Sequence, residues 1–248
     1  MSKVSIVIPA YNEEEGIKSV VDGVRSAVNG KFDYEIIVVD DASQDKTAEI
    51  AESLGVRVVK NPVNSGQGAS VKNGIRASVG DRIVLIDADG TYPADKIPEL
   101  VKKMDEGFDL VVGARGGKNY WRSGLLTFAR LAFKLIAEIA AFKKIPDINS
   151  GLRAFTKDKA FPILDHCSNR FSFMTSTTLI FLLKGYKVAY LPIDYYARKG
   201  QSKVRYVKDA LRTLKLIGKL LFIYKPLRFV LIAIAVIAIV FLLINVVL

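Results

Sequence analysis

Five short runs rich in β-branched residues, at 4–8, 35–39, 57–60, 82–86 and 110–112, are separated by stretches of good helix formers with spaced apolar residues, at 13–28, 44–54, 67–79 and 94–106. Near-continuous apolar strands need covering on both faces, and the intervening helices supply the cover. The alternation therefore predicts an α/β fold up to about residue 113, a mostly parallel sheet with helices on both sides. In open sheets of this kind ligands sit beyond the carboxyl ends of the strands. The residues with unusual chemistry fall there.

The last twenty residues, 229–248, carry no charge and one polar side chain, Asn245. As a helix such a run crosses roughly 30 Å of hydrocarbon, whereas a core helix of that length keeps a polar face. A transmembrane helix is expected over 227–248. The other residues of this 248-residue chain, half of which is hydrophobic, suffice for one domain with a substantial core. The formal charge of +11 is unevenly placed: 198–228 holds ten Lys or Arg against Asp209, a net +9, and the rest of the chain only +2. Basic residues directly before a span mark the cytoplasmic side and attract anionic lipid, so the charge points to a membrane partner and no nucleic acid.

Within 204–224, Lys208, Arg212, Lys215 and Lys219 share one helical face, and Val207, Leu211, Leu214, Gly218 and Leu221 a neighbouring apolar one. That division predicts an amphipathic helix at the membrane surface. The stretch 121–142 is apolar round most of its circumference, interrupted by Arg122, Arg130, Lys134 and Glu138, and reads equally as an interfacial helix or a bundle helix. No long apolar leader follows Met1, so the globular part is expected on the cytoplasmic side of the membrane. One cysteine, Cys167, and one histidine, His166, exclude an intramolecular disulfide and a zinc site, and both are read as packing or surface residues.

Asp87-Ala88-Asp89 directly follows the run 82–86 and precedes the turn-forming Gly90. Two carboxylates at i and i+2 at a strand end can converge on a hard divalent cation and through it on a diphosphate, because Mg2+ or Mn2+ takes oxygen ligands and shares its sphere with substrate phosphates. Acidic pairs also serve as solvated turns and helix caps, so the neighbouring strand ends matter. Pro9-Ala10-Tyr11-Asn12-Glu13 follows the first run, Val38-Val39-Asp40-Asp41-Ala42-Ser43 closes the second, and Asn64-Ser65-Gly66-Gln67-Gly68 precedes a helix. Asp40 can accept hydrogen bonds from a base or ribose, Tyr11 offers an aromatic face, and the glycines allow close backbone approach near a helix N-terminus. Each has a plainer use: Asp40 and Asp41 as helix caps, 64–68 as a turn, Pro9 as a strand end.

In order and spacing, PAYNEEE, VVDDAS, NSGQG, DADG, GAR at 113–115 and DINSGLR at 147–153 resemble family 2 glycosyltransferases of the dolichyl-phosphate mannose synthase type, over about residues 3–205. The resemblance implies a GT-A fold, a Rossmann-like sheet that binds a nucleotide-sugar and a metal, and inversion at the anomeric carbon. The catalytic domain would then occupy 1–203, followed by the juxtamembrane helix at 204–226 and the span. It implies Pro9, Tyr11, Glu13, Val38 and Asp40 at the nucleotide, with Gly68 and Ala88 beside the donor. Asp87 and Asp89 are implied around the diphosphate with Mg2+ or Mn2+, and Arg115, Arg198 and Lys203 on donor or acceptor phosphates. Two features depart from that pattern: Thr91 stands where Gln is common, and 171–178 reads FSFMTSTT where acidic residues are frequent, which leaves the sugar as mannose or glucose.

RKGQSK at 198–203 lies just ahead of the span, where a lipid phosphate at the headgroup plane needs several cationic donors; a solvated basic loop is its plainer use. The expected reaction is a single displacement in which an oxygen of a polyprenyl phosphate attacks the anomeric carbon of the nucleotide-sugar. A phosphate monoester is already anionic near neutral pH and needs no general base. A hydroxyl acceptor on a lipid-linked glycan would need one, with Asp147 the candidate. The QxxRW motif of processive synthases is absent from the sequence. A membrane-tethered protein that binds nucleotide-sugar without turnover is the third reading.

Overall fold

A computed structural model of the protein describes residues 3–117, 124–170, 172–197 and 206–247. The chain runs β1 (Val4–Ala10), α1 (Ile17–Val28), β2 (Tyr34–Asp40), α2 (Thr47–Ser53), β3 (Arg57–Lys60), α3 (Gln67–Ala77) and β4 (Arg82–Leu85). A 3-10 turn at Ala94–Lys96 leads into α4 (Ile97–Asp105), followed by β5 (Leu110–Gly116), α5 (Gly124–Ala141), β6 (Arg153–Thr156) and the short α6 (Lys157–Ala160). After a second 3-10 stretch, Phe161–His166, come α7 (Phe173–Leu183), β7 (Val188–Asp194), α8 (Tyr206–Tyr224) and α9 (Pro226–Val247).

The strands form one sheet in the order β3-β2-β1-β4-β6-β5-β7. All five strands expected from the alternation are present, and residue parity sorts their side chains into two apolar layers. Val7, Ile37, Val39, Ile83 and Leu85 face α3, α5, α7 and α8, while Ile6, Ile8, Val38, Val84 and Ile86 face α1, α2 and α4. Each such side chain, fully buried, contributes about 1.5–3 kcal/mol. The sheet is mixed: β6 pairs antiparallel with both β4 and β5, with Arg153 opposite Leu85 and Val112. This reversal matters for the site. The segment 147–152 enters β6 from the edge at which every other strand ends, so DINSGLR is delivered to the carboxyl ends of β4 and β5.

The two helices expected at the membrane surface behave differently from each other. In α5 the small Ala137, Ala140 and Ala141 are buried, whereas Leu131, Leu135, Ile136, Ile139 and Phe142 are 40–65% exposed. That is the inverse of a helix packed in a water-soluble protein. In α8 the buried stripe is Thr213, Ile217, Leu220 and Leu221, packed on α7, and Leu214 is exposed. The apolar face read from Leu214, Gly218 and Leu221 is thus rotated, because the protein's own core claims the stripe; the side chains of Val207, Lys208 and Leu211 lie outside the described residues.

The span expected at the C-terminus falls on α9, a continuous helix of 22 residues. Its side chains are described for 226–238 and 241, and among the described residues no helix is long and apolar enough to cross a membrane. Arg228 fixes where α9 starts: its Nη1 donates to Ala140 O at 3.1 Å, and its guanidinium lies 4.3 Å from the centre of the Phe142 ring. The cation thereby meets the exposed carbonyls at the end of α5.

Candidate active site

The loops after β1, β2 and β4 meet at one edge of the sheet, and the first two are laced together. Asn12 N–H donates to Ser43 Oγ at 2.9 Å, Gln44 N–H to Asn12 Oδ1 at 2.8 Å, and Glu13 N–H to Thr47 Oγ1 at 2.8 Å. Asn12 and Ala42 both adopt positive φ, 50° and 61°, an uncommon conformation for residues with a Cβ and one that concentrates at functional loops. Glu13 O accepts the first amides of α1, from Gly16 and Ile17.

The adjacent aspartates of VVDDAS have separate duties. Asp41 is structural: its carboxylate accepts from Asn61 Nδ2 at 2.7 Å and from the amides of Ser65 and Gly66 at 2.9 and 2.8 Å, pinning the loop that leads into α3. Asp40 Oδ2 accepts from Ser43 N–H at 3.2 Å, while its Oδ1 is buried and, among the described residues, has no hydrogen-bond partner. A buried acceptor without a donor is costly unless a ligand supplies one. Tyr11 and Glu13 are half-buried beside it. Pro9 and Val38 sit within the sheet, in register with Val39 and Ile8 respectively, and Val38 is wholly buried; what they give the site is the strands that carry Tyr11 and Asp40.

The glycines of NSGQG have a partner that sequence could not reveal. A Cβ on Gly68 would stand 2.7 Å from Asn169 C and 2.9 Å from Arg170 O, and Ala69 N–H donates to Asn169 O at 2.9 Å. The space a Cβ would take at Gly68 is filled by the chain's own 168–170 backbone. The residue of this motif that reaches the acidic loop is Gln67, whose Nε2 donates to Asp87 Oδ1 at 2.8 Å.

Asp87 and Asp89 are held from several sides. Asp89 is 5% exposed, and its Oδ1 accepts from Thr91 N–H at 3.1 Å and Thr91 Oγ1 at 2.6 Å, across a turn that Gly90 allows at φ 73°. Thr91 therefore orients Asp89. Ala88 packs against Gly16, where any Cβ would collide with Ala88 O. Asp87 packs against Gly151, where a Cβ would lie 2.7 Å from Asp87 Cγ. Among the described residues no cluster of three or more His, Cys, Asp or Glu could hold a metal. Two fixed carboxylates on successive odd positions do fit Mg2+ or Mn2+ when substrate phosphates complete the oxygen shell, the usual arrangement for such a cation.

Arg115 is held by its neighbours. Its Nε and Nη2 donate to the two oxygens of Asp147 at 2.7 and 2.9 Å, its Nη1 reaches Tyr92 Oη at 3.4 Å, and the guanidinium lies 5.4 Å from the Tyr195 ring centre. Burial alone would raise the Asp147 carboxyl, but the Arg115 charge and hydrogen bonds from Arg115 and Asn149 outweigh it and hold the group below the ordinary carboxylate range. Asp147 is thus an ionised, bidentate partner of Arg115. Tyr92 Oη also accepts from Gly151 N–H at 2.7 Å, and Tyr196 N–H donates to Thr91 O at 2.9 Å. The chain entering 198–203 does so beside the Asp89 turn; Arg198 and Lys203 themselves lie outside the described residues. Sequence reasoning missed Gln67, Tyr92 and Tyr195, whose only signal was adjacency to NSGQG, DADG and the RKGQSK segment.

Arg153 closes the arrangement from below. It is fully buried, donates from Nε to Ser150 O at 3.0 Å and from Nη1 to Met174 O and Thr178 Oγ1 at 2.9 and 3.0 Å, and its pKa is pushed down by burial to about 10. It remains charged at neutral pH and ties 147–151 to α7. Arg153→Met should strand these acceptors at a cost of about 3 kcal/mol, lowering the thermal midpoint by roughly 8 °C in circular dichroism of the detergent-solubilised chain. A fall under about 2 °C would show the guanidinium to be dispensable.

Known proteins resemble the chain in sequence and in fold. The model of glycosyl transferase family 2 matches residues 5–159. A dolichyl-phosphate beta-glucosyltransferase of Trichomonas vaginalis is 32% identical over 224 residues, covering 81% of this chain and 66% of its own length. A dolichol-phosphate mannosyltransferase of Pyrococcus furiosus is 29% identical over 235 residues, covering 88% of this chain and 65% of its own. The chain thus spans just under two thirds of the length of these two relatives. Among solved structures, glucosyl-3-phosphoglycerate synthase from Mycobacterium tuberculosis, in complex with Mn2+, uridine diphosphate and glucosyl-3-phosphoglycerate, superposes with a TM-score of 0.68 at 25% identity, over 89% of this chain and 79% of that one. The fold is GT-A-like, and the chain belongs to glycosyl transferase family 2.

Proposed function

We propose that the chain is an inverting glycosyltransferase that moves a hexose, mannose or glucose, from a nucleotide-sugar to a polyprenyl phosphate at the cytoplasmic face of a membrane, with Mg2+ or Mn2+ held by Asp87 and Asp89. The observation that carries this reading is the carboxylate pair after β4, immobilised by Gln67, Thr91 and Gly151 at the edge where Asp40 presents its unpartnered oxygen. The names of the dolichyl-phosphate relatives support the acceptor class, and the Mn2+ and uridine diphosphate of the structural neighbour support the donor class.

A divalent cation at the pair would neutralise charge on the departing nucleoside diphosphate. The chain's own residues prepare for that event. Thr91 and Gln67 fix the carboxylates in advance, so little reorganisation is needed as charge develops. Asp40 Oδ1 accepts a hydrogen bond from the nucleoside, and Tyr92 with the Arg115–Asp147 pair holds 147–151 against Asp87. Arg198 and Lys203, just beyond Tyr196, meet the acceptor phosphate. α9 spans the membrane and the exposed leucines and isoleucines of α5 lie in its surface. Transfer to a hydroxyl is disfavoured because both oxygens of Asp147, the candidate base, are committed to Arg115.

Membranes containing the full chain, given labelled UDP-glucose or GDP-mannose, polyprenyl phosphate and Mg2+ or Mn2+, should form a labelled glycolipid that releases its sugar in mild acid. Absence of labelled lipid with every common donor overturns the proposal; an acid-stable product moves the acceptor to a hydroxyl.

A further inference from the structure

Away from the carboxylate pair, a cleft of about 380 Å³ runs between α8 and the segment 165–172. Arg170, Lys215 and Lys219 line it together with Arg212, and among the described lining residues the one carboxylate is Asp165, itself bonded to Arg76 at 3.2 Å. Cations gathered in a concave site repel one another, and a bound anion relieves that repulsion. The walls are joined at both ends. Ser172 Oγ bonds Thr213 Oγ1 at 2.7 Å, and His166 Nδ1 bonds the Tyr224 hydroxyl. Eleven residues of α8 separate these bridges, about 16 Å along the helix, so the cleft is a fixed frame rather than a loose basic surface. The segment 167–169 on its other wall is braced from behind by Lys72, whose ammonium donates to Cys167 O at 2.7 Å and Asn169 Oδ1 at 2.6 Å.

We infer that this cleft holds the headgroup of an anionic membrane phospholipid. The inference rests on the membrane-anchored reading above but not on sugar transfer. A phospholipid is favoured over a soluble phosphate by what continues that face of α8: Phe222 and Ile223, three and four residues beyond Lys219, are 59 and 40% exposed, and Leu227 and Leu231 at the start of α9 are 73 and 59% exposed, an apolar surface that acyl chains would cover. The cations and the apolar Phe222 and Ile223 share one face of α8, matching a ligand with a charged head and an apolar tail. No residue lining the cleft belongs to the Asp87–Asp89 loop.

The test is native mass spectrometry of the full chain released from neutral detergent with phosphatidylglycerol or phosphatidylcholine, with inorganic phosphate as competitor. One phosphatidylglycerol should be retained and phosphatidylcholine should not. Lys215→Gln with Lys219→Gln should lower retention at least about tenfold, and Arg170→Gln alone should lower it in the same direction. Lys102→Gln with Lys103→Gln on α4 removes the same charge elsewhere and should change retention less than about twofold. Equal retention of both lipids, an equal loss in the α4 variant, or displacement of the lipid by inorganic phosphate would each overturn the inference. Sugar transfer is not read, so a failure here is distinguishable from a failure of the glycosyltransferase proposal.

Discussion

Replacing Asp89 by Ala is expected to lower formation of labelled glycolipid by about 10²- to 10³-fold, the scale on which one preorganised electrostatic group acts in a water-excluded site. The side chain is nearly buried, and its Oδ1 is already oriented by two hydrogen bonds from Thr91. Alanine removes both the charge and the turn, so Asp89→Asn separates the two. The amide oxygen can still accept from Thr91, which keeps the loop, but the negative charge that would recruit the proposed divalent cation is gone. Both variants should lose activity alike, with only Asp89→Ala lowering the thermal midpoint. If Asp89→Asn instead retained wild-type turnover, Asp89 would be a loop-forming residue and the cation would have to be held elsewhere.

The parts of the fold that could be read in the sequence are those where local pattern and tertiary environment agree. β1 to β5 sit between two helical layers, so their residues are apolar at nearly every position and stand out. β6 has only four residues and begins with a buried Arg153, which donates to the Met174 carbonyl and Thr178 hydroxyl of distant α7 as well as to Ser150 O; nothing local marks it as a strand. Nothing in FSFMTSTT alone marks it as part of a core helix, because its Ser and Thr residues interrupt the apolar ones. In α7, Ser176, Thr177 and Thr178 return their hydroxyls to carbonyls three and four residues earlier, and the helix is buried over almost its whole length. At the site the same limit applies. Asp40, Asp87 and Asp89 stand out in the sequence because each ends or closely follows an apolar strand, whereas the packing of 168–170 on Gly68 and the Arg115–Asp147 pair depend on residues far apart in the chain.

Gly151→Ala should reduce transfer by about 10²-fold, the loss associated with a displacement near 1 Å at a reacting centre, while leaving the fold intact. The added Cβ would stand 2.7 Å from Asp87 Cγ and 2.8 Å from Asp87 Oδ1, inside any allowed contact, so the carboxylate must swing away. The backbone itself tolerates alanine, since Gly151 is not among the positive-φ positions, and its N–H still reaches Tyr92 Oη. The alternative is that the loop moves and Asp87 stays, in which case Arg153, anchored to Ser150 O, would lose its hold and stability would fall. Thermal unfolding distinguishes the two, with a change within about 2 °C expected for the first. The decisive comparison is a double-mutant cycle. If Gly151→Ala acts through Asp87, adding it to Asp87→Ala should cost nothing further, because the group it displaces is already gone. Additive losses in Mn2+ affinity and turnover would instead give Gly151 a role of its own, independent of Asp87.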